Sequence, residues 1–450
     1  MTRDDLDMVR ISPGAAQSRR VARRFVTFLG ITAVLLATHS TARGQATDER
    51  PATAVIQERL TKREEEIHRL KAQLAGLESQ KSDRAPGPET PPPPAADSAA
   101  APSETKPQPA ADFLGSLGFR ASVDGYYSYD FNRPDSRRSS FRAFDGPANQ
   151  FSLNLAQFTL EKTPEPTNGR LGFRLSTGFG NAMNAMNGSE SSFAQYLYEA
   201  YGSYLVPVGK GLLVDFGKFV TPHGAEVIDT QDNWNYSRGL LFSYAIPFYH
   251  FGVRAKYSFN DQYWLSGYLV NGWNNVVDNN TGKTIGVGLG WNPSKKLSVV
   301  QNYMAGPEQP GNNTGWRQLI DTLVTITPTE RWSFMVNYDY GRGDRVSGLP
   351  GPVWWTGVAG YVRYAPSRRH ALAVRYEYYN DHDGFTTGTA QHLHGVTGTF
   401  ERRIAKNLIT RLEFRRDLSN CPSFTRGDVP ARAQSVVLGG IIYSFDAREK

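Results

Sequence analysis

The residues whose types could hold a metal are Asp381-His382-Asp383, followed by His392 and His394. Imidazole and carboxylate are good metal ligands. Their spacing does not make them converge. His392 and His394 fall on one face of an extended segment, and a site needs about four ligands around one point. They read as ordinary rim residues. Gly282-Lys283-Thr284 matches the end of a phosphate-binding loop, but position 277, which that motif requires to be glycine, is valine, and an extended segment follows where a helix is needed. Cys421 is the one cysteine, so there is no internal disulfide and no all-cysteine zinc site. No Ser/His/Asp set is arranged for acyl transfer. The expectation is a chain with no catalytic residue, no metal and no cofactor.

A different set of residues has spacing that carries meaning. Arg120, Arg174, Arg254, Arg317, Arg363, Arg375, Arg411 and Arg415 all lie on the polar face of segments that alternate apolar and polar. Asp124, Asp321, Asp339, Glu377 and Glu413 share those faces in smaller number. An enclosed wall with more cations than anions favours anions. Only an element of period two can hold such a set. In 369–380, for instance, His370, Leu372, Val374, Tyr376 and Tyr378 oppose Ala371, Ala373, Arg375 and Glu377.

From residue 113 onward this pattern predicts strands at 117–131, 150–162, 169–180, 194–206, 211–220, 247–259, 262–273, 283–292, 296–305, 315–327, 331–342, 353–365, 369–380, 391–403, 407–418 and 433–445. Most are about twice the usual globular length and suit a tilted membrane-spanning strand. Aromatics near their ends, such as Tyr127, Trp264, Trp273, Trp291, Trp332, Trp355 and Tyr443, predict interfacial girdles. Connections alternate between tight turns and long polar loops, among them 306–314 and 221–246. A sandwich has no reason to sort its loops in this way, whereas a barrel between two compartments does. The predicted fold is therefore an all-β transmembrane antiparallel barrel of about 16 strands, within 14–18. The longest loop, 221–246, carries Glu226, Asp229, Asp232, Trp234 and Arg238 and is expected to fold inward and constrict the lumen.

The segments before the barrel have other jobs. Residues 1–44 combine RRVARR, a short apolar run and small residues, which marks an export signal. They hold seven Arg and three Asp, so four of the seven net positive charges lie there and nucleic acid is not a predicted partner. Residues 54–82 place Ile56, Leu60, Ile67, Leu70, Leu74 and Leu77 on a heptad seam. That seam predicts a periplasmic coiled coil joining copies, a trimer in the simplest case, near peptidoglycan. Residues 83–112 are a stiff Pro/Ala-rich linker to the barrel at 113–450.

Three stretches, GKFVTPHGAEVID (217–229), DNWNYSRGLLFSYAIPFYHFGVRAKYSFND (232–261) and YLVNGWNNVVDNNTGKT (268–284), resemble the OmpL-like β-barrel porin family of bacterial outer membranes. The resemblance implies a pore and brings no catalytic residue or ligand with it. The expected function is passive diffusion of small hydrophilic solutes through a Gram-negative outer membrane with a mild anion preference. Both barrel termini would face the periplasm, and outer-membrane lipid would surround the wall. The alternative is a non-conducting barrel that anchors the envelope or binds at the surface through its loops.

Overall fold

The computed structural model describes residues 116–447, apart from Asn168, Ser191, Arg345, Ser347 and Pro350. The export signal, the heptad seam (Ile56 to Leu77) and the linker lie outside the described residues. Among the described residues sixteen long strands close into one antiparallel barrel. They are β1 (Gly118–Asp130), β2 (Gln150–Lys162), β3 (Leu171–Phe179), β4 (Leu197–Val206), β5 (Leu212–Val220), β6 (Tyr249–Ser258), β7 (Tyr263–Val270), β8 (Thr284–Ser294), β9 (Leu297–Gln309), β10 (Asn312–Ile326), β11 (Trp332–Gly343), β12 (Val353–Tyr364), β13 (His370–Asp381), β14 (Gln391–Ala405), β15 (Leu408–Ser419) and β18 (Ala433–Asp446). A separate hairpin, β16 (Phe424–Arg426) with β17 (Val429–Ala431), stands in the last long connection. One short helix, α1 (Asn181–Asn187), lies in the second.

Period two decides what each strand shows to either side. On β13, Leu372, Val374 and Tyr376 are exposed while Ala371, Ala373, Arg375 and Glu377 are buried. Repeated round the barrel, this leaves Phe151, Leu175, Phe216, Leu265, Trp291, Val336, Leu412 and Ile441 uncovered on the outer wall. So continuous an apolar exterior needs a lipid covering. Closure removes the other obstacle to crossing a bilayer, an unpaired sheet edge. β1 pairs with β18 from Arg120↔Asp446 to Asp130↔Val436.

The two ends differ as expected. Short turns, such as 207–211, 259–262, 295–296 and 406–407, lie at one end. Connections 131–149, 221–248, 271–283 and 420–432 lie at the other. One expectation fails. The stretch 306–314 is not a long loop, because β9 runs to Gln309 and β10 starts at Asn312. The turn between them is Pro310–Gly311, and Gly311 takes φ +66, a conformation glycine enters freely. These extensions are polar on both faces, so they carry no alternation to read.

The aromatic girdle also needs correction. Trp291, Trp316, Trp332, Tyr376 and Tyr443 do lie exposed on the outer wall, but Trp264, Trp273 and Trp355 are buried inside. A ring near a strand end satisfies either side equally well, so position along the strand does not reveal the face.

At the base of the loop 221–248, Gly217 of β5 and Gly252 of β6 face each other in register with φ +136 and +156. A Cβ there would lie 2.2 Å from the Ala200 and Leu269 carbonyl oxygens respectively. Only glycine lets both strands distort where the chain leaves the wall.

Candidate functional site

The connection 221–248 turns into the lumen. Every residue in it is buried except Gln231, Asp232 and Trp234. Its second half explains why it goes inward. Leu240, Leu241, Phe242, Ile246 and Phe248 join one apolar cluster with Phe144, Met183, Trp355 and Tyr379. Leu241–Ala245 form a single wide helical turn. Trp355 Nε1 donates to the Ala245 carbonyl at 3.0 Å, and the Tyr379 hydroxyl to the Tyr244 carbonyl at 3.2 Å. The reading of this loop as polar therefore fails over 240–248, a run that would be costly to leave in water.

The first half is held by charge. Arg411 donates to the carbonyls of Thr230 (2.7 Å), Asn233 (2.7 Å) and Asn235 (3.1 Å), and its guanidinium also pairs with Glu401 at 2.7 Å. One side chain thus gathers three carbonyls of the loop tip. Arg411 stands close to the start of β15, so the tip hangs near the short-turn end of the barrel. Glu413 accepts from the Tyr236 and Ser237 N–H groups at 2.6 and 3.0 Å. Arg415 donates to the Arg238 carbonyl at 2.6 Å. Arg238 in turn donates to the Tyr236 and Ile228 carbonyls, and its guanidinium lies over the Phe144 ring. The Tyr236 hydroxyl donates to Asp124 at 2.6 Å.

Arg375 is the centre of the upper contacts. It donates to Glu226 at 2.5 Å and to the Ser237 carbonyl at 2.7 Å, and lies 2.8 Å from Glu377. Glu226 accepts from Gly239 N–H and Glu377 from Leu240 N–H, at 2.6 and 2.7 Å. Farther round the wall, on β11 and β9, Asn337 accepts from Ala225 N–H at 3.0 Å, and Asn302 donates to the Pro222 carbonyl at 3.0 Å. The loop is fastened all round.

The structure thus brings Arg375 to Glu226, Arg415 to the Arg238 carbonyl, and Arg411 to the carbonyls on either side of Asp232. The other predicted arginines pair mainly on the wall, although the charge of Arg174 also reaches Asp229 of the loop. Arg174 bridges Glu161 and Glu199, each at 2.6 Å, and Arg254 pairs with Asp215 at 2.7 Å. Arg317 lies over the rings of Trp273 and Phe385. Arg120 pairs with Glu161 and Asp446, and Arg363 lies 3.6 Å from Glu401, both half-buried near the short-turn end. Trp234 packs edge-on to Tyr361, and Asp232 is exposed at the tip.

Sequence reasoning missed the neutral anchors Asn302, Asn337 and Thr399, the last accepting from the Asn235 amide at 2.7 Å. Their inward parity was readable, but their role was not, since each finds its partner through folding of a distant loop. The histidine group does not converge. His392 and His394 lie 2.7 and 3.0 Å from the hydroxyls of Tyr378 and Tyr376, whereas Asp381 caps the backbone of Phe385 to Thr387. Lys283 pairs with Asp278. Among the described residues no group of three or more His, Cys, Asp or Glu is placed to hold a metal.

Asp229 gives the loop a pH dependence. Burial, reinforced by the charge of Asp232, pushes its carboxyl up to about 6, from an ordinary 3.8. The folded loop therefore favours the protonated form. That preference is fully present below about pH 4 and is lost as pH rises through 6. Loop fluctuations, read as channel noise in planar bilayers, should increase from pH 5 to pH 7.5. Asp229→Asn should flatten that dependence, and an unaltered profile would count against it.

A sequence profile described as "Putative beta-barrel porin-2, OmpL-like" matches residues 116–445. The chain belongs to this family. Solved outer-membrane barrels are similar to this OmpL-like chain. The anion-selective porin of Comamonas acidovorans is similar at 13% identity and TM-score 0.51, covering 73% of this chain and 99% of that one. The outer-membrane channel DcaP of Acinetobacter baumannii is similar at 12% identity and TM-score 0.48, covering 73% and 97%. A search of curated protein sequences returns no match.

Proposed function

We propose that this OmpL-like barrel is an outer-membrane porin through which small hydrophilic solutes diffuse passively, past a narrowing made by loop 221–248. The observation that carries the reading is a loop fastened inside a closed sixteen-stranded barrel, with Gln231, Asp232 and Trp234 left uncovered at its tip. A barrel of this size has room for an aqueous path beside such a loop.

A mild anion preference fits the charges around that path. Arg375, Arg411 and Arg415 hold the loop, so mobile ions meet other cations. Half-buried Arg120, Arg317 and Arg363 point inward, and the short turns carry Arg170, Lys210, Lys295, Lys296, Arg331, Arg368, Arg369 and Lys406 against Glu165, Asp261 and Glu330. Basic residues around a mouth raise the local anion concentration. Reversal potentials under a salt gradient should show anions more permeant. The bias should fade between 0.1 and 1 M salt, where the screening length falls from about 10 to 3 Å. Cation preference at low salt would refute the selectivity.

The thorough burial of the loop favours one competing reading, a barrel shut at rest that serves as an anchor. Liposome swelling separates the two, since an anchor passes no sugar. Residues 1–44 would direct export and 54–82 would join copies in the periplasm. Truncating 54–84 and measuring the mass in detergent tests the second.

A further inference from the structure

A cleft of about 330 Å³ opens where β1, β18 and β15 reach the long-connection end. Phe131 and Phe414 form its apolar sides, Ser435 lies between them, and Arg416 and Arg426 stand at its rim. It is on the outer wall. Phe414 and Arg416 share the exposed face of β15 with Leu412, opposite the buried Arg411, Glu413 and Arg415.

Two features suit it to an amphiphile. First, charge on a lipid-facing wall is tolerated only close to the interface, and Arg416 lies one step along its face beyond Phe414, toward the water. Phe414 therefore sits at acyl-chain depth, with Phe131, Ser435 and Arg416 in register one step nearer the long-connection end. Second, the cations have no carboxylate of their own. Arg416 donates to Ser435 Oγ at 3.0 Å, and neither it nor Arg426 has an ion-pair partner among the described residues. Arg133, whose guanidinium lies over the Tyr129 ring, and exposed Arg432 add to the positive field. The opposing acids are Asp428, in the same hairpin as Arg426, and Asp135, whose N–H donates to the Gly427 carbonyl.

We propose that this cleft binds a phosphate-bearing lipid of the outer leaflet, its acyl chain against Phe131 and Phe414 and its phosphate between Arg416 and Arg426. The planar guanidinium fork matches phosphate geometry, and such charge-assisted bonds are strong where water is scarce. The proposal rests on the functional reading above only for the outer membrane, whose barrels carry their long connections on the outer side. The site itself does not depend on conduction.

Native mass spectrometry of the folded barrel in detergent tests it, with diphosphorylated lipid A and its dephosphorylated form as probes. The wild type should retain the diphosphorylated lipid. Occupancy should fall roughly ten-fold in Arg416→Gln/Arg426→Gln, and the dephosphorylated lipid should stay near background. Equal occupancy in variant and wild type, or equal retention of both lipids, overturns the proposal. A variant that loses oligomer mass with lipid binding intact overturns it too, and marks the cleft as a contact between copies. Heat-shifted gel migration checks that the variant is folded. If the double variant is not, Arg426→Gln alone, outside the barrel ladder, should still weaken retention, and unchanged retention there rejects the idea.

Discussion

Deleting residues 226–238 should raise single-channel conductance by about three-fold or more, because a sixteen-stranded barrel without an internal loop leaves an open aqueous channel. The deleted segment pairs with no barrel strand, so the ladder that closes β1 on β18 is untouched. What it does remove is the tip gathered by Arg411 and the backbone held by Glu413, Arg375 and Arg415. Those wall residues would then face water, which can solvate them, so the barrel should still assemble. The junction falls at Ala225 and Gly239, and glycine on one side eases the new turn. A folded deletion variant whose conductance equals that of the wild type would strip the loop of any part in setting the pore.

The expectation rests on a fold that was largely legible beforehand. Lipid and lumen impose opposite demands on successive residues, so period two survives in the sequence even through strands with few classical β-formers. β2 was expected at 150–162 and is found there, and β18 at 433–445 against 433–446. The pattern fails where the demand lapses. β9 and β10 rise above the apolar belt, and their polar extensions read as a loop. Trp355 sits inside because the apolar half of loop 221–248 has made that part of the lumen dry.

The site was less legible for a related reason. Parity places Arg375 on the inner face, but its partner Glu226 lies 149 residues away in the chain. No local spacing encodes that pairing. Counting inward arginines treats them as charge offered to solutes, whereas a guanidinium enclosed by protein must find a carboxylate or carbonyl. Arg375, Arg411 and Arg415 do so and become fasteners of the loop. On the proposed reading, the charge met by ions then lies with residues nearer the mouth.

Arg375→Met should be the most disruptive single substitution in the lumen. The arginine is fully buried between Glu226 and Glu377, and removing one member of such a set costs about 3–5 kcal/mol. The loss is large because two enclosed carboxylates remain, facing each other without the cation between them. Burial already holds the Glu226 carboxyl above its usual range, Glu377 adds to that, and Arg375 opposes it. In the variant the opposition is gone, so folding with the loop in place favours protonated Glu226 still more. Stability from that group is then present at low pH and lost as pH rises through its elevated value. The variant should therefore approach wild-type thermal resistance at pH 5 and fall well short at pH 8, followed by heat-shifted gel migration. Arg375→Met/Glu226→Gln should recover part of the deficit at pH 8, since it removes the repulsion without restoring the bond. If the single variant is as resistant as the wild type at pH 8, the network is not what holds the loop, and the apolar packing of Leu240 to Phe248 must suffice alone.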